Sequence, residues 1–170
     1  LKILDKYPDW KSIVIGDEPR EKLFFTHKNL NHLGFKSNSY VLSKLKEVSI
    51  SVVPSKWDEP FGRSSLEAAS RGSALIISSS GGLKETTKDA IIISKITVKE
   101  LYKKIKFLID KSQFRKKLQR NAHKNFIYTN NHSSTLIDDL RTSLILKRVN
   151  INFNTNKKLK IIYITNFNER

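Results

Sequence analysis

Two glutamates could do chemistry together in this chain. Seven residues separate Glu59 from Glu67. An apolar run ending at Val53 is typical of a buried strand, and a helical pattern begins near Ser64. This arrangement places Glu59 on a loop and Glu67 on a helix, so both carboxylates could face one crevice. Carboxylates there would accept strong hydrogen bonds from ligand hydroxyls.

The loop before that helix also has features of an anion site. Gly62 has no Cβ and allows a ligand to approach the backbone, while Ser64 and Ser65 offer N-cap chemistry. Glu67 is expected in the first helical turn, where a carboxylate is favourable. A second glycine turn, Gly81-Gly82, also precedes a short helical pattern and could present its backbone in the same way.

The sequence around these residues resembles a known family. Pro54-Ser55, Glu59-Pro60-Phe61-Gly62 and Leu66-Glu67-Ala68 are similar to the E-x7-E signature of retaining GT-B glycosyltransferases of group 1. The resemblance implies an α/β fold, a Rossmann-like parallel sheet flanked by helices. This would be the C-terminal, donor-binding domain of a GT-B fold without its first strand.

The resemblance also assigns roles to residues. Glu59 would be catalytic, contacting the donor sugar and helping to place its anomeric carbon, and Glu67 would bind the ribose hydroxyls. The remaining donor-binding residues that it implies are Phe61, Gly62, Arg63, Ser64, Leu33, Gly34, Phe35, Gly81 and Gly82. Two positions depart from the family pattern: Arg63 replaces a common aliphatic residue, and Pro60 replaces a common glycine. Arg63 is either a solvated helix residue or a second cation for the diphosphate.

Periodicity predicts alternating strands and helices. The predicted strands are 12–15, 30–33, 48–53, 74–77 and 90–94. Residues 21–25 are predicted as a short helix or turn. The predicted helices are 1–7, 39–47 capped by Ser39, 64–71, 83–87, 97–109, 113–128 and 133–146 capped by Ser133 or Ser134. Their apolar stripes, including Val98 and Phe114, are expected to pack inward. Such alternation favours parallel strands with helices on both faces, and ligands bind beyond the carboxyl ends of these strands.

We expect three segments along the chain. Residues 1–147 would form the donor-binding domain, incomplete at its N-terminus, and residues 148–158 a polar linker. Residues 159–170 contain the apolar run LKIIYIT, either the first strand of a following GT-B module or an added edge strand. Leu at position 1 and the absence of Met suggest a piece of a longer protein.

Composition limits the other possibilities. The chain lacks Cys, its four His show no metal-ligand spacing, and no apolar run approaches the ~20 residues of a membrane span. The formal charge is +16, with basic residues concentrated on the helices predicted at 97–109 and 113–128. These residues form either a solvated face or a contact with an anionic membrane, and without a recognised motif nucleic acid is not expected. We expect a cytoplasmic protein, with peripheral attachment to the inner face of a membrane as an alternative.

The expected function follows from the resemblance. It implies the donor-binding half of an enzyme that transfers a sugar from a nucleotide-sugar to an acceptor with retention of configuration. The acceptor, a glycan, a lipid or another group, would be held by an absent N-terminal domain, so the segment alone would be inactive. The donor is a substrate, and the resemblance implies no cofactor and no metal in the site. The alternatives are a basic nucleic-acid-binding α/β module and an inactive GT-B-like scaffold.

Overall fold

Short apolar runs form the strands of the structure, and amphipathic stretches form its helices. The computed structural model describes residues 1–16 and 25–149, with side chains described as far as 145. The described elements, in chain order, are α1 (Lys2–Lys6), β1 (Ser12–Ile15), β2 (Leu30–Gly34), α2 (Asn38–Leu45), β3 (Ile50–Val53), α3 (Arg63–Ser70), β4 (Ala74–Ser78), α4 (Leu83–Thr86), β5 (Ala90–Ile93), α5 (Val98–Asp110), α6 (Ser112–Lys124) and α7 (Asn130–Val149). The chain divides into two compact units, Leu1–Tyr128 and Thr129–Arg170.

The described strands pair in parallel, as the sequence predicts. In one ladder β1 pairs with β2, and in the other β4 lies between β3 and β5. In the second ladder α3 connects β3 to β4 and α4 connects β4 to β5, which are the crossovers that parallel pairing requires. The α/β, Rossmann-like prediction is therefore confirmed.

The two ladders do not join into one sheet within the described residues. β1 and β3 instead line a common cleft of about 1320 Å³. The predicted parallel sheet is thus present as two separate parallel ladders within the described residues. Each of these two strands has one backbone edge paired and the other directed away from its ladder.

The core surrounds β4, whose five residues are all buried. Its side chains alternate between two faces, so Leu75 and Ile77 pack with α3, α4 and α6, and Ala74 and Ile76 pack toward β5 and α5. Each buried Ile or Leu contributes about 1.5–3 kcal/mol relative to an exposed side chain. The β3-β4-β5 ladder is therefore the rigid base from which the neighbouring loops emerge.

Several helices begin at residues other than the predicted ones. Ser37, not Ser39, caps α2, with its Oγ accepting a hydrogen bond from Tyr40 N at 3.4 Å. The cap of α3 is Gly62, and no side chain makes a capping bond there. Glu67 is therefore the fifth helical residue and lies outside the first turn. A glycine in the left-handed conformation can begin a helix without a side-chain acceptor, and the sequence pattern did not signal this.

Some apolar stripes are less buried than predicted. Val98 and Phe114 are exposed because each lies at the start of its helix, where few other elements surround it. The prediction that they pack inward is wrong.

The last described helix, α7, belongs to the second unit. It begins at Asn130, so the predicted caps Ser133 and Ser134 lie inside it, and it extends to Val149, two residues into the predicted linker. Its apolar side chains are about half exposed: Leu136, Ile137, Leu140, Leu144 and Ile145. The rest of the linker, the run at 159–170 and residues 21–24 of the predicted helix or turn 21–25 lie outside the described residues. Among the helices described here, none is long and apolar enough to cross a bilayer.

Candidate functional site

Gly62 fixes the junction between the 54–61 loop and α3. Its φ of 90° is in the left-handed region, which favours glycine. A Cβ at this position would collide with the side chain of Leu83. Ser65 N and Leu66 N both donate to Gly62 O, so the amides of Arg63 and Ser64 precede the first intrahelical bonds. These two N–H groups lie at the positive end of the helix dipole, as predicted for an anion site.

Glu59 is positioned through a network of serines. Ser55 Oγ donates to Glu59 Oε1 at 3.0 Å, and the Ser55 carbonyl accepts from Ser78 Oγ at 2.7 Å and Ser80 Oγ at 2.9 Å. The end of β4 therefore holds the loop that carries Glu59. Sequence reasoning missed this role, although three serines directly after a buried strand were a signal of hydroxyls placed at its carboxyl end.

The Gly81-Gly82 turn packs against the Glu59 loop. Gly82 N donates to Glu59 O at 2.7 Å, and a Cβ on Gly82 would lie 2.5 Å from Pro60 O. A Cβ on Gly81 would collide with the backbone of Glu59. The predicted unhindered glycine turn is thus closely packed, because both glycines bring two backbone segments together. The N–H of Gly82 is already used in that contact.

Glu67 is held by side chains from two helices. Its Oε1 accepts from Asn38 Nδ2 at 2.8 Å and from Arg63 Nε at 2.9 Å. The Glu67 side chain is 18% exposed, whereas that of Arg63 is 76% exposed. No described residue donates a hydrogen bond to Oε2 of Glu67, which leaves that oxygen able to accept from a ligand hydroxyl. Both interpretations of Arg63 remain open, since Nε pairs with Glu67 while the rest of the guanidinium is exposed.

The cleft between β1 and β3 brings distant site residues together. Ser64 and Glu67 line it from α3, while Leu33 and Phe35 line it from the end of β2. Gly34, with a φ of 62°, turns the chain between the last two, and its carbonyl accepts from Gly16 N at 3.0 Å. The Asn38–Glu67 bond connects the two regions directly. Residues predicted from two separate stretches therefore line one cleft, although Glu59 is not among its lining residues.

Tyr128 is a further neighbour of the site that sequence reasoning missed. Its ring meets that of Phe61 edge to face at 5.3 Å, and its hydroxyl donates to Glu85 O at 2.7 Å. Phe61 and Tyr128 are far apart in the sequence, and no local pattern signals such a contact. This contact fixes the Phe61 end of the loop.

The chemistry available at the site is polar recognition. Two carboxylates, exposed helix amides and one arginine can bind hydroxyl and phosphate oxygens. Within residues 1–16 and 25–149, no three His, Asp or Glu side chains form a group that could hold a metal ion.

Comparisons with known proteins identify the family of this chain. Residues 1–125 match the sequence model of the family Glycosyl transferases group 1. A comparison with curated proteins gave no match.

Solved structures share the fold. HepE (Alr3699) from Anabaena, in complex with UDP, superposes with a TM-score of 0.66 at 18% identity over 79% of this chain and 42% of HepE. HepE with UDP-glucose gives 0.64 at 18% identity, over 82% and 44% of the two chains. The C-terminal domain of LpcC, a glycosyl transferase group 1 family protein from Francisella tularensis, gives 0.62 at 27% identity, over 71% and 70%. This chain thus spans less than half the length of HepE, and its fold matches the C-terminal domains of GT-B glycosyltransferases.

Proposed function

Because this chain belongs to the glycosyl transferases group 1 family, we propose that it is the donor-binding part of a retaining glycosyltransferase. The complete enzyme would transfer a sugar from a nucleotide-sugar to an acceptor. The observation that carries this proposal is Glu67, which two partners hold on the cleft wall while its Oε2 accepts no bond from described residues. A fixed carboxylate suits recognition of a ribose diol, since both hydroxyls donate to a charged acceptor.

The other residues take complementary roles in this proposal. Glu59, steadied by Ser55, contacts the donor sugar and is the catalytic residue. The amides of Phe61, Gly62, Arg63 and Ser64 bind the sugar and its phosphates, Leu33, Gly34 and Phe35 bind the base, and Gly81 and Gly82 complete the donor site. HepE, which shares the fold, forms complexes with UDP and with UDP-glucose, and this supports a nucleotide-sugar as the donor.

The domain boundaries are part of the proposal. We assign residues 1–147 to the donor-binding domain, 148–158 to a linker and 159–170 to the first strand of a following module. A further strand between β1 and β3 would complete the sheet, because each has an edge that no described strand pairs with and both line one cleft. The acceptor, a glycan, a lipid or another group, would bind another domain, so this segment alone would not transfer sugar.

The conditions of the reaction are also proposals. The donor site would work without a metal ion, with helix amides and Arg63 compensating the charge on the leaving diphosphate. The enzyme would act in the cytoplasm. Retention is tested by determining the anomeric configuration of the first product of the longer protein by NMR, and inversion would contradict it.

The donor-site assignment is tested by calorimetric binding of UDP, GDP, ADP and their glucose conjugates. The expected result is selective binding of one nucleotide family that Glu67→Gln weakens by at least about tenfold, since a hydrogen bond to a charged group contributes ~1.5–3 kcal/mol. Asp138→Asn is the matched control, because Asp138 also pairs with an arginine on its own helix at 3.3 Å. Equal losses in both variants would contradict the assignment. Salt-sensitive binding of RNA or DNA without nucleotide binding would favour the nucleic-acid alternative.

A further inference from the structure

The corner between α5 and α6 exposes two aromatic rings that the core does not use. Phe107 and Phe114 meet edge to face at 5.3 Å, yet 40% and 41% of their surfaces remain exposed. The inward stripe of α5 is formed by Leu101, Ile105 and Leu108, which leaves Phe107 on the outer side. Within the described part of the chain, neither ring belongs to the side chains that pack in the two core clusters.

The pair lies within the most basic part of the chain. Between Val98 and Lys124 there are ten Lys or Arg residues and two acidic residues, a net charge of +8. Lys103 and Lys104 precede Phe107 by four and three positions on α5, the spacing at which helical neighbours meet. Lys111 lies at the junction of α5 and α6 and lines the same surface depression as both rings. Lys117 is three positions from Phe114 in the same way. We name Phe107, Phe114, Lys103, Lys104, Lys111 and Lys117 the corner patch.

Two charged residues near the rings, Asp110 and Arg115, interact with other residues of the fold and leave the positive charge of the corner patch unchanged. Asp110, the acidic residue beside the rings, accepts hydrogen bonds from Tyr7 and Lys106. Arg115 turns inward, donating to the carbonyls of Leu108 and Ile109 and stacking on the ring of Trp10 at 5.0 Å. Lys103, Lys111 and Lys117 are exposed, and Lys104 is half-buried. Among the described residues no ion pair neutralises these four lysines, so most of their positive charge faces solvent.

We propose that the corner patch docks the protein on an anionic lipid surface. Aromatic rings enter the boundary between headgroups and acyl chains, and long lysine side chains reach the phosphates around them. Two weak signals, one apolar and one electrostatic, together give reversible attachment. Nucleic acid is less favoured, because a base-stacking platform presents free ring faces, whereas here one ring covers a face of the other. The proposal does not depend on the donor site.

The test is sedimentation of the full chain with vesicles. The vesicles contain phosphatidylcholine alone or with about 30% phosphatidylglycerol, at low salt and at ~0.15 M salt. The expected result is binding only to the anionic vesicles, weaker at the higher salt. Each lysine near such a surface contributes a factor of about five, so Lys103→Gln/Lys104→Gln/Lys111→Gln should weaken binding at least tenfold. Phe107→Ser/Phe114→Ser should weaken it by about tenfold as well.

Matched controls separate the corner patch from net charge. Lys28→Gln/Lys46→Gln/Lys88→Gln removes the same charge from exposed positions elsewhere, and Trp57→Ser removes another exposed aromatic ring. Both should bind within about twofold of the unchanged chain. Circular dichroism identifies any variant that does not fold, and the lysine and phenylalanine variants test the proposal separately. Equal losses in the lysine controls, no vesicle binding, or tighter binding to RNA that survives the phenylalanine changes would overturn the proposal.

Discussion

At the scale of single residues, substitution of Arg63 distinguishes its two interpretations, a solvated helix residue or a cation for the diphosphate. Its Nε pairs with Glu67, while the rest of the guanidinium faces solvent. If that exposed part meets the diphosphate, Arg63→Ala should weaken UDP binding by about tenfold and uridine binding by much less, since only UDP carries the phosphates. Calorimetry with the two ligands measures the difference. Equal losses would mean that Arg63 acts only by holding Glu67.

Substitution of Gly81 tests how closely the Gly81-Gly82 turn packs against the loop that carries Glu59. Gly34→Ala is its matched control, because both glycines have positive φ but a Cβ on Gly34 would meet nothing within 4 Å. Gly34→Ala should lower the free energy of unfolding by about 1–2 kcal/mol, because alanine is strained in the left-handed conformation. Gly81→Ala should cost roughly 1–3 kcal/mol more, because its Cβ collides with the Glu59 backbone. Urea unfolding measures both changes, and equal costs would show that the loops separate easily.

At the scale of elements, α1 is attached to α5 by Asp110. The hydrogen bonds from Lys106 and Tyr7 lower the pKa of Asp110 below its ordinary value of 3.8. A lowered carboxyl pKa in the folded state stabilises the fold above 3.8, and the stabilisation disappears as the pH falls through the lowered pKa. Asp110→Asn should therefore lower Tm at pH 7, and the Tm difference between the two proteins should disappear as the pH falls below 3.8 and through the lowered pKa of Asp110. A constant Tm difference down to the most acid pH would show that the carboxylate charge has no part in it.

Two buried hydroxyl groups, those of Ser65 and Thr86, connect α3 to α4 through a hydrogen bond. Ser65 Oγ lies 2.7 Å from Gly62 O and 2.8 Å from Thr86 Oγ1, and both side chains are buried. These bonds keep the start of α3 beside the turn that supports Glu59. The position of the catalytic candidate thus depends on small polar residues between elements.

At the scale of the whole first unit, the cleft between β1 and β3 separates two ladders. β4 has a strand on both sides, whereas β1 and β3 each have one neighbour among the described strands. Alternate amides of β1 and β3 should therefore exchange hydrogen at least about a hundredfold faster than those of β4. Exchange followed by NMR or mass spectrometry measures this directly, and equal protection in the three strands would contradict it.

The same exchange measurement on a longer form of the protein is the control for this prediction. If a further strand enters the cleft, exchange should slow in β1 and β3 but not in β5, which lies at the outer edge of its ladder. Slowing in all three would indicate a general gain in stability instead.

The sequence alone determined the order of the described strands and helices and supplied the candidate site residues. Short apolar runs located the five described strands and period-3.6 patterns the helices, because both are local properties of the chain. The family signature identified Glu59, Gly62 and Glu67 because those positions require particular residue types.

Only the tertiary structure decided what holds these residues in place. The bond of Asn38 to Glu67, the Ser78 and Ser80 bonds to the Ser55 carbonyl and the contact of Tyr128 with Phe61 all join segments far apart in sequence. The division of the strands into two ladders likewise depends on which edges meet, and no local pattern encodes that. Local spacing selects the groups that can react, while packing between distant segments sets their positions.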